Sequence, residues 1–345
     1  MPKHLGSGTF GDVFKGKDNT AIKNFHKLHH CIQEYCAAKY LEDCEYVVKC
    51  NGVDFKEMRM YYELHKMNMR EWMDKPRRTQ REKIFLLRDV IFSLIELHSR
   101  NLVHSDLKPS NVLVSFTSSG YRATLCDLGF VANPPYSKVR RTAATFRDTN
   151  PKSHYGHDIY SLCVILMEIF YNIRVKEQLD YVEFERLIKQ YAKDPSMREL
   201  MLRMIDTDHD QRPTSSEVLE LLYGERFVPK IKSTIPFHVK DIHDKKYRSI
   251  TSIVTEAGKI FKIHRTDVAQ EIAIYCIEKY NVMEKYHQLI ILCTLIIFSS
   301  VLGNSGFTDV TAMKVCDNKY TKTELTTVLK YMTNDRDILC KLFSM

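Results

Sequence analysis

The sequence predicts an α+β chain in three zones: a strand-rich start, a mostly helical middle and a separate all-helical block at the end. Three observations predict it. A glycine-rich segment lies between two strand-like runs in the first 25 residues. Apolar residues at helical spacing dominate from Ile84 to about residue 223, after which 224–243 loses all periodicity and carries Gly224, Pro229, Pro236 and several lysines. The remainder is helical throughout. A length of 345 residues fits two domains, and the bounds expected are 1–225, a linker at 226–243, and 244–345.

The elements follow in order. The glycine segment and its flanking strands lead to Ala21-Ile22-Lys23; a helical segment covers 31–41, and 46–48 and 59–62 read as strands. Ile84, Leu87, Ile91, Leu94 and Ile95 mark an amphipathic helix ending near His98, and short strand–loop segments fill 102–128. Residues 158–171 are apolar almost all round, the pattern of a helix buried on every side, and 184–223 give further helices. In the last block, Val268, Ile272, Tyr275 and Cys276 mark one helix, 289–300 another, and Leu325, Val328, Leu329 and Met332 a last one.

Composition excludes several classes. With 44% apolar and 27% charged residues, collagen, coiled coil and general disorder are out. A net charge of +8 is too mild to argue for nucleic acid. The ten cysteines form no CxxC pair, so no zinc ribbon or redox motif is expected, and the start has no apolar signal region. An intracellular setting, cytoplasmic or nuclear, is the expectation. The apolar run 289–302 is short of the roughly 20 residues a membrane helix needs, and reads as a core helix.

Gly6-Ser7-Gly8-Thr9-Phe10-Gly11-Asp12-Val13 is a loop whose glycines let backbone approach a phosphate. A dinucleotide site needs a helix directly after such a loop; here a second strand follows, ending in Lys23. Downstream, His104-Ser105-Asp106-Leu107-Lys108-Pro109-Ser110-Asn111 is followed by Asp127-Leu128-Gly129. Phosphoryl transfer needs a carboxylate to orient the attacking hydroxyl, hard oxygen ligands for Mg²⁺, and a cation to offset charge on the γ-phosphate. Asp106, Asn111 with Asp127, and Lys108 supply these in turn. Each alone is more often a solvated or capping side chain; their order after a glycine loop and a strand lysine is what singles them out. Asp206, Asp208, Asp210 and Glu217 copy EF-hand spacing, but Gln211 stands where glycine is needed and Pro213 intrudes, so a polar loop before a helix is expected. The basic runs 75–78 and 138–141 read as solvated faces, the second with a possible attraction for acidic substrate.

Residues 1–225 resemble the eukaryotic protein kinases. The resemblance implies an α+β bilobal protein kinase fold and an ATP- and Mg²⁺-dependent enzyme acting on protein substrates. It implies nucleotide contacts from Leu5, Gly6, Gly8, Gly11, Val13, Ala21 and Lys23, with Glu34 pairing to Lys23. Tyr62 matches the gatekeeper position, Glu63 and His65 the hinge, Asp106 and Lys108 the catalytic pair, and Asn111 and Asp127 the metal ligands. Asp158 matches the aspartate that anchors the catalytic loop, Arg212-Pro213-Thr214 the late Arg-Pro signature, and Lys108 the serine/threonine branch. Three departures stand beside these. Ser105 replaces the usual arginine, Phe146-Arg147-Asp148-Thr149-Asn150 stands where Ala-Pro-Glu is usual, and Arg212 is then expected to lack its carboxylate partner. These departures leave open the alternative of a pseudokinase scaffold that binds nucleotide and partner proteins without turnover.

Residues 244–345 resemble a single all-α, five-helix cyclin box. Residues 247–261 match its first helix with Arg248 at the family's arginine, 273–280 its second with Glu278 at the aspartate position, 290–300 its third, and 317–322 the segment opening its fifth. The lysine and glutamate by which cyclins grip a kinase are replaced by Ser300 and Leu329. The resemblance implies a cyclin-like module acting on the kinase lobe of its own or a neighbouring chain, as in a viral cyclin-dependent-like kinase. Neither a membrane nor nucleic acid is expected as a partner.

Overall fold

The computed structural model describes residues 3–118, 120–134, 155–175, 179–231, 237, 239, 242, 244–260, 263, 265–302 and 320–344, with the backbone alone at Ile260. The chain divides into two compact units: Met1–Glu42 with Lys49–Leu64 and Lys232–Met345, and Asp43–Val48 with His65–Ile231.

In the first unit, β1 (His4–Ser7), β2 (Gly11–Lys15), β3 (Thr20–Phe25), β4 (Cys50–Asp54) and β5 (Arg59–Glu63) form an antiparallel sheet in the order β1-β2-β3-β5-β4. Gly11 permits the closest approach in it: a Cβ there would lie 2.0 Å from the Asn24 carbonyl oxygen. Helix α1 (Leu28–Tyr40) contacts β3, β4 and β5. Cys31 to Ala38 are eight consecutive buried residues, more than one sheet face can cover. The other faces of α1 are covered by the chain's own C-terminal helices.

Those helices are α8 (Arg248–Ile260), α9 (Thr266–Lys279), α10 (His287–Val301), α11 (Lys322–Asn334) and α12 (Arg336–Phe343). Helix α10 is buried from Leu289 to Val301, as its uniformly apolar sequence requires, and packs on α1, α8, α9 and α11. Helices α11 and α12 also reach α1. There the Tyr35 hydroxyl donates to Asn334 Oδ1 at 2.9 Å, Arg336 Nη1 donates to the Tyr40 carbonyl at 3.2 Å, and the Tyr40 and Phe343 rings stack at 4.8 Å. No helix among the described residues is long and apolar enough to cross a membrane.

In the second unit, β6 (Met67–Asn68), β7 (Val112–Thr117) and β8 (Gly120–Leu125) form a small antiparallel sheet. Around it lie α2 (Met69–Met73), α3 (Gln80–His98), α4 (Tyr155–Tyr171), α5 (Tyr181–Tyr191), α6 (Pro195–Met204) and α7 (Ser215–Tyr223). Helix α4 is buried from Gly156 to Ile169, the all-round burial its sequence predicts. Side chains that cap the first turn start α2 (Asn68, Glu71), α3 (Thr79, Glu82) and α7 (Thr214, Glu217). Gly224, at φ 63°, ends α7 in the left-handed region.

Two elements differ from expectation. The run 46–48 is a single bridge rather than a strand: the Glu96 carboxylate takes the N–H groups of Glu45 and Tyr46 at 2.6 and 2.9 Å, and Val47 bridges Leu125 in the second unit. The strand pairing with β5 follows at β4. Helix α11 is also not the last, because Asp335 ends it and at once caps α12 by accepting from the Asp337 N–H. The expected replacement of Ala-Pro-Glu at 146–150, the basic run 138–141 and the segment 317–319 lie outside the described residues.

Candidate functional site

Charged groups gather at two places, one in each unit. In the first, strand register sets the geometry. Lys23 on β3 is opposite Met60 on β5, and Ala21 is opposite Tyr62. Opposed and alternate residues share a face of a sheet, so Lys23 and Tyr62 leave it on one side. Lys23 Nζ meets Glu34 Oε2 at 2.6 Å, with both side chains buried. The Tyr62 hydroxyl donates to Glu34 Oε1 at 2.8 Å. A buried ion pair holds only when its remaining hydrogen-bonding atoms are met, and both oxygens of Glu34 are. Burial, and then the charge of Glu34, push the Tyr62 phenol and the neighbouring Cys31 thiol well above their ordinary ranges, so both stay protonated.

Leu5 and Gly6 on β1, Val13 on β2 and Ala21 on β3 belong to the same sheet, and the Gly8 N–H donates to the Gly11 carbonyl at 2.9 Å in the turn between β1 and β2. Glu63 closes β5. His65 belongs to the second unit, where its Nδ1 lies 2.8 Å from Ser115 Oγ.

The second cluster is built on a loop. Asp106 Oδ2 receives Lys108 Nζ at 2.6 Å and Asn111 Nδ2 at 2.9 Å, while the same amide donates to the Asp106 carbonyl at 2.8 Å. With its nitrogen so used, Asn111 keeps Oδ1 as an oxygen donor. Asp127, at φ 61° and ψ 67°, begins the turn Leu128–Phe130. A carboxylate and an amide oxygen are the hard ligands Mg²⁺ takes, so Asn111 and Asp127 fit that ion chemically.

Asp158, on α4 and fully buried, holds this loop from within. Its Oδ2 accepts the His104 N–H at 2.7 Å and its Oδ1 accepts the Ser105 N–H at 2.9 Å, with His98 Nε2 at 3.1 Å. Burial pushes the carboxyl pKa up, but the hydrogen bond and charge of His98, joined by His104, outweigh it and hold Asp158 below the ordinary aspartate range. Ser105 takes a left-handed φ of 64° at this point. His98, on α3, and His104, whose ring reaches the Cys126 carbonyl at 3.0 Å, are the site residues that sequence reasoning missed. Their only sequence signal is proximity to Asp106; their common partner lies 54 residues beyond His104.

Other predicted residues have structural roles. Arg212 donates to the carbonyls of Asp206 and Gly156 at 2.8 and 2.7 Å. Asp206 and Asp208 accept from the backbone of the turn, and Glu217 serves the α7 cap, so these carboxylates shape a loop. In the helical block, Glu278 is met by Lys246 at 3.0 Å and by the Tyr247 hydroxyl, the two residues before Arg248. Ser300 and Leu329 are both buried.

A glycine loop, a strand lysine paired to a helix glutamate, and an Asp–Lys–Asn cluster ahead of a second aspartate are the features on which the resemblance to protein kinases rests. The family model for the protein kinase domain matches residues 1–223, and the chain belongs to that family. It is 25% identical over 269 residues to the mouse interferon-induced, double-stranded RNA-activated protein kinase, covering 67% of this chain and 52% of the relative. It is 30% identical over 160 residues to a probable serine/threonine-protein kinase of Dictyostelium discoideum, covering 41% and 20%. A Drosophila melanogaster membrane-associated tyrosine- and threonine-specific cdc2-inhibitory kinase is 24% identical over 263 residues, covering 68% and 48%. The chain thus spans about half the length, or less, of these relatives. Helices α8 to α12 lie beyond the family match.

Proposed function

We propose that the chain is an ATP-dependent protein serine/threonine kinase whose C-terminal helices, cyclin-like in sequence, act on its own α1. The observation that carries the catalytic reading is the Asp106 carboxylate, fixed by Lys108 and Asn111 on one oxygen. A carboxylate held this way can accept the proton of a substrate hydroxyl, while Lys108 beside it offsets charge developing on the transferred phosphoryl group. Lys23, oriented by Glu34, would hold the α- and β-phosphates, with the glycine loop, Leu5, Val13, Ala21, Glu63 and His65 around the nucleotide. Asn111 and Asp127 would hold Mg²⁺, which when bound neutralises phosphate charge. Lys108 in its Asp-Leu-Lys-Pro setting supports serine and threonine as acceptors. The domain bounds 1–225, 226–243 and 244–345 are proposed with it.

The regulatory part rests on α1. Its burial from Cys31 to Ala38, with Tyr35–Asn334 and Arg336–Tyr40 on the far side from Lys23, supports the C-terminal helices as the support that keeps Glu34 in place.

The test is phosphorylation of a generic acceptor protein by the purified full chain with Mg²⁺ and ATP, followed by phosphoamino-acid analysis. Phosphoserine and phosphothreonine that disappear in Asp106→Asn are expected. Nucleotide binding without turnover would establish the pseudokinase scaffold instead, and phosphotyrosine would overturn the acceptor assignment.

A further inference from the structure

The pair Lys23–Glu34 uses one oxygen of Glu34; the other is taken by Tyr62. The terminal torsion of a glutamate is broad and nearly two-fold, so a single partner leaves the carboxylate free to turn. A second partner on Oε1 removes that freedom. Tyr62 is suited to this. It lies on β5, is 8% exposed, and is registered between Ala21 on β3 and Cys50 on β4. Its hydroxyl also reaches Met60 Sδ at 3.5 Å, so the ring is held by its own strand. Buried beside Glu34, the phenol stays neutral and keeps its proton to donate to the carboxylate, which can only accept. A hydrogen bond to an ionised acceptor is about twice as strong as one between neutral groups.

We propose that Tyr62 is a positioning residue for phosphoryl transfer: its hydroxyl fixes the Glu34 carboxylate so that Oε2 aims Lys23 at the phosphates. This rests on the reading of Lys23 as the phosphate-binding lysine, whose orientation then depends on Glu34 and Tyr62 together. Without the hydroxyl, Oε1 loses the Tyr62 donor, and Glu34 gains a reason to turn. Tyr62 acts through Glu34 alone, which is the distinguishing feature of the assignment.

The test is a double-mutant cycle on the full chain with Tyr62→Phe, Glu34→Gln and the two combined. Phenylalanine keeps the ring, so packing is preserved. Steady-state kinetics with Mg·ATP and casein, and calorimetric titration with Mg·AMP-PNP, are read together with the melting temperature. Tyr62→Phe is expected to lower kcat/KM for ATP about tenfold. About threefold of that loss appears as weaker AMP-PNP binding and the rest in kcat. Added to Glu34→Gln, the same change costs less than twofold in either readout. Equal losses in both backgrounds, or a lowered melting temperature with unchanged kinetics, would show a packing role and overturn the proposal. If the wild type binds AMP-PNP but does not turn over ATP, the kinase reading falls and the calorimetric cycle decides Tyr62 by the same criterion.

Discussion

The loop 104–111 and helix α1 present charged groups by opposite means. In the loop, Lys108 and Asn111 reach Asp106 across two and five residues, and one buried carboxylate, Asp158, ties the backbone of His104 and Ser105 from below. Helix α1 presents Glu34 from an element with no side-chain cap at its start, and residues nearly 300 positions later hold its outer face, as Tyr35–Asn334 does across 299. Short-range order makes the loop a fixed fixture. Long-range order makes α1 adjustable, because anything that loosens the C-terminal helices reaches Glu34.

The comparison breaks most visibly at Asp106. Asp106→Asn is expected to lower turnover about 10²–10⁴-fold with little change in melting temperature, as measured by steady-state kinetics beside a thermal melt. Next is the anchor beneath it. Asp158→Asn puts an amide among three donors, and a lost partner of a buried charge costs about 3–5 kcal/mol, so denaturant unfolding should show a loss of that order.

A second buried carboxylate in the same unit sharpens the contrast through pH. Asp89 on α3 accepts the Ala123 N–H of β8 at 2.9 Å and lies 3.3 Å from Arg122 Nε. Burial nevertheless dominates and raises its pKa to about 6. An unfolded aspartate titrates near 3.9, so between about 4 and 6 the folded state binds more protons and stability falls as pH rises. The difference in unfolding free energy between wild type and Asp89→Asn should therefore drift by roughly 2–3 kcal/mol over that window and be flat above it. A drift of opposite sign would mean the partners outweigh burial.

The smallest effect belongs to the adjustable side. Asn334→Ala with Arg336→Ala removes two contacts far from the loop, and kcat should fall about fivefold, the lower end of usual coupling free energies. The melt of the second unit should be unchanged.

The same contrast explains what the sequence revealed. Order and spacing singled out Asp106, Lys108, Asn111 and Asp127, and the structure brings the first three together. The all-round apolar runs behind α4 and α10 announced their own burial. Tyr62 was legible as a strand residue and, through the resemblance, as the gatekeeper position; its hydrogen bond to Glu34 depends on which face of β5 meets α1. His98 and His104 gave no signal beyond their nearness to Asp106, since an imidazole beside a loop looks like any other histidine until Asp158 is placed beside it. The covering of α1 by α10, α11 and α12 was not legible, because its contacts, Tyr35–Asn334 and Arg336–Tyr40, follow no motif. The displaced strand β4 shows the same limit, because a carboxylate 50 residues away captures the backbone of 45–46.

Hydrogen exchange at the backbone amides of α1 tests the dependence on the C-terminal helices most directly. In the Asn334→Ala, Arg336→Ala variant, protection across Leu28–Tyr40 should fall while that of 104–111 stays at the wild-type level. Unchanged protection of α1, or an equal fall in both segments, would contradict it.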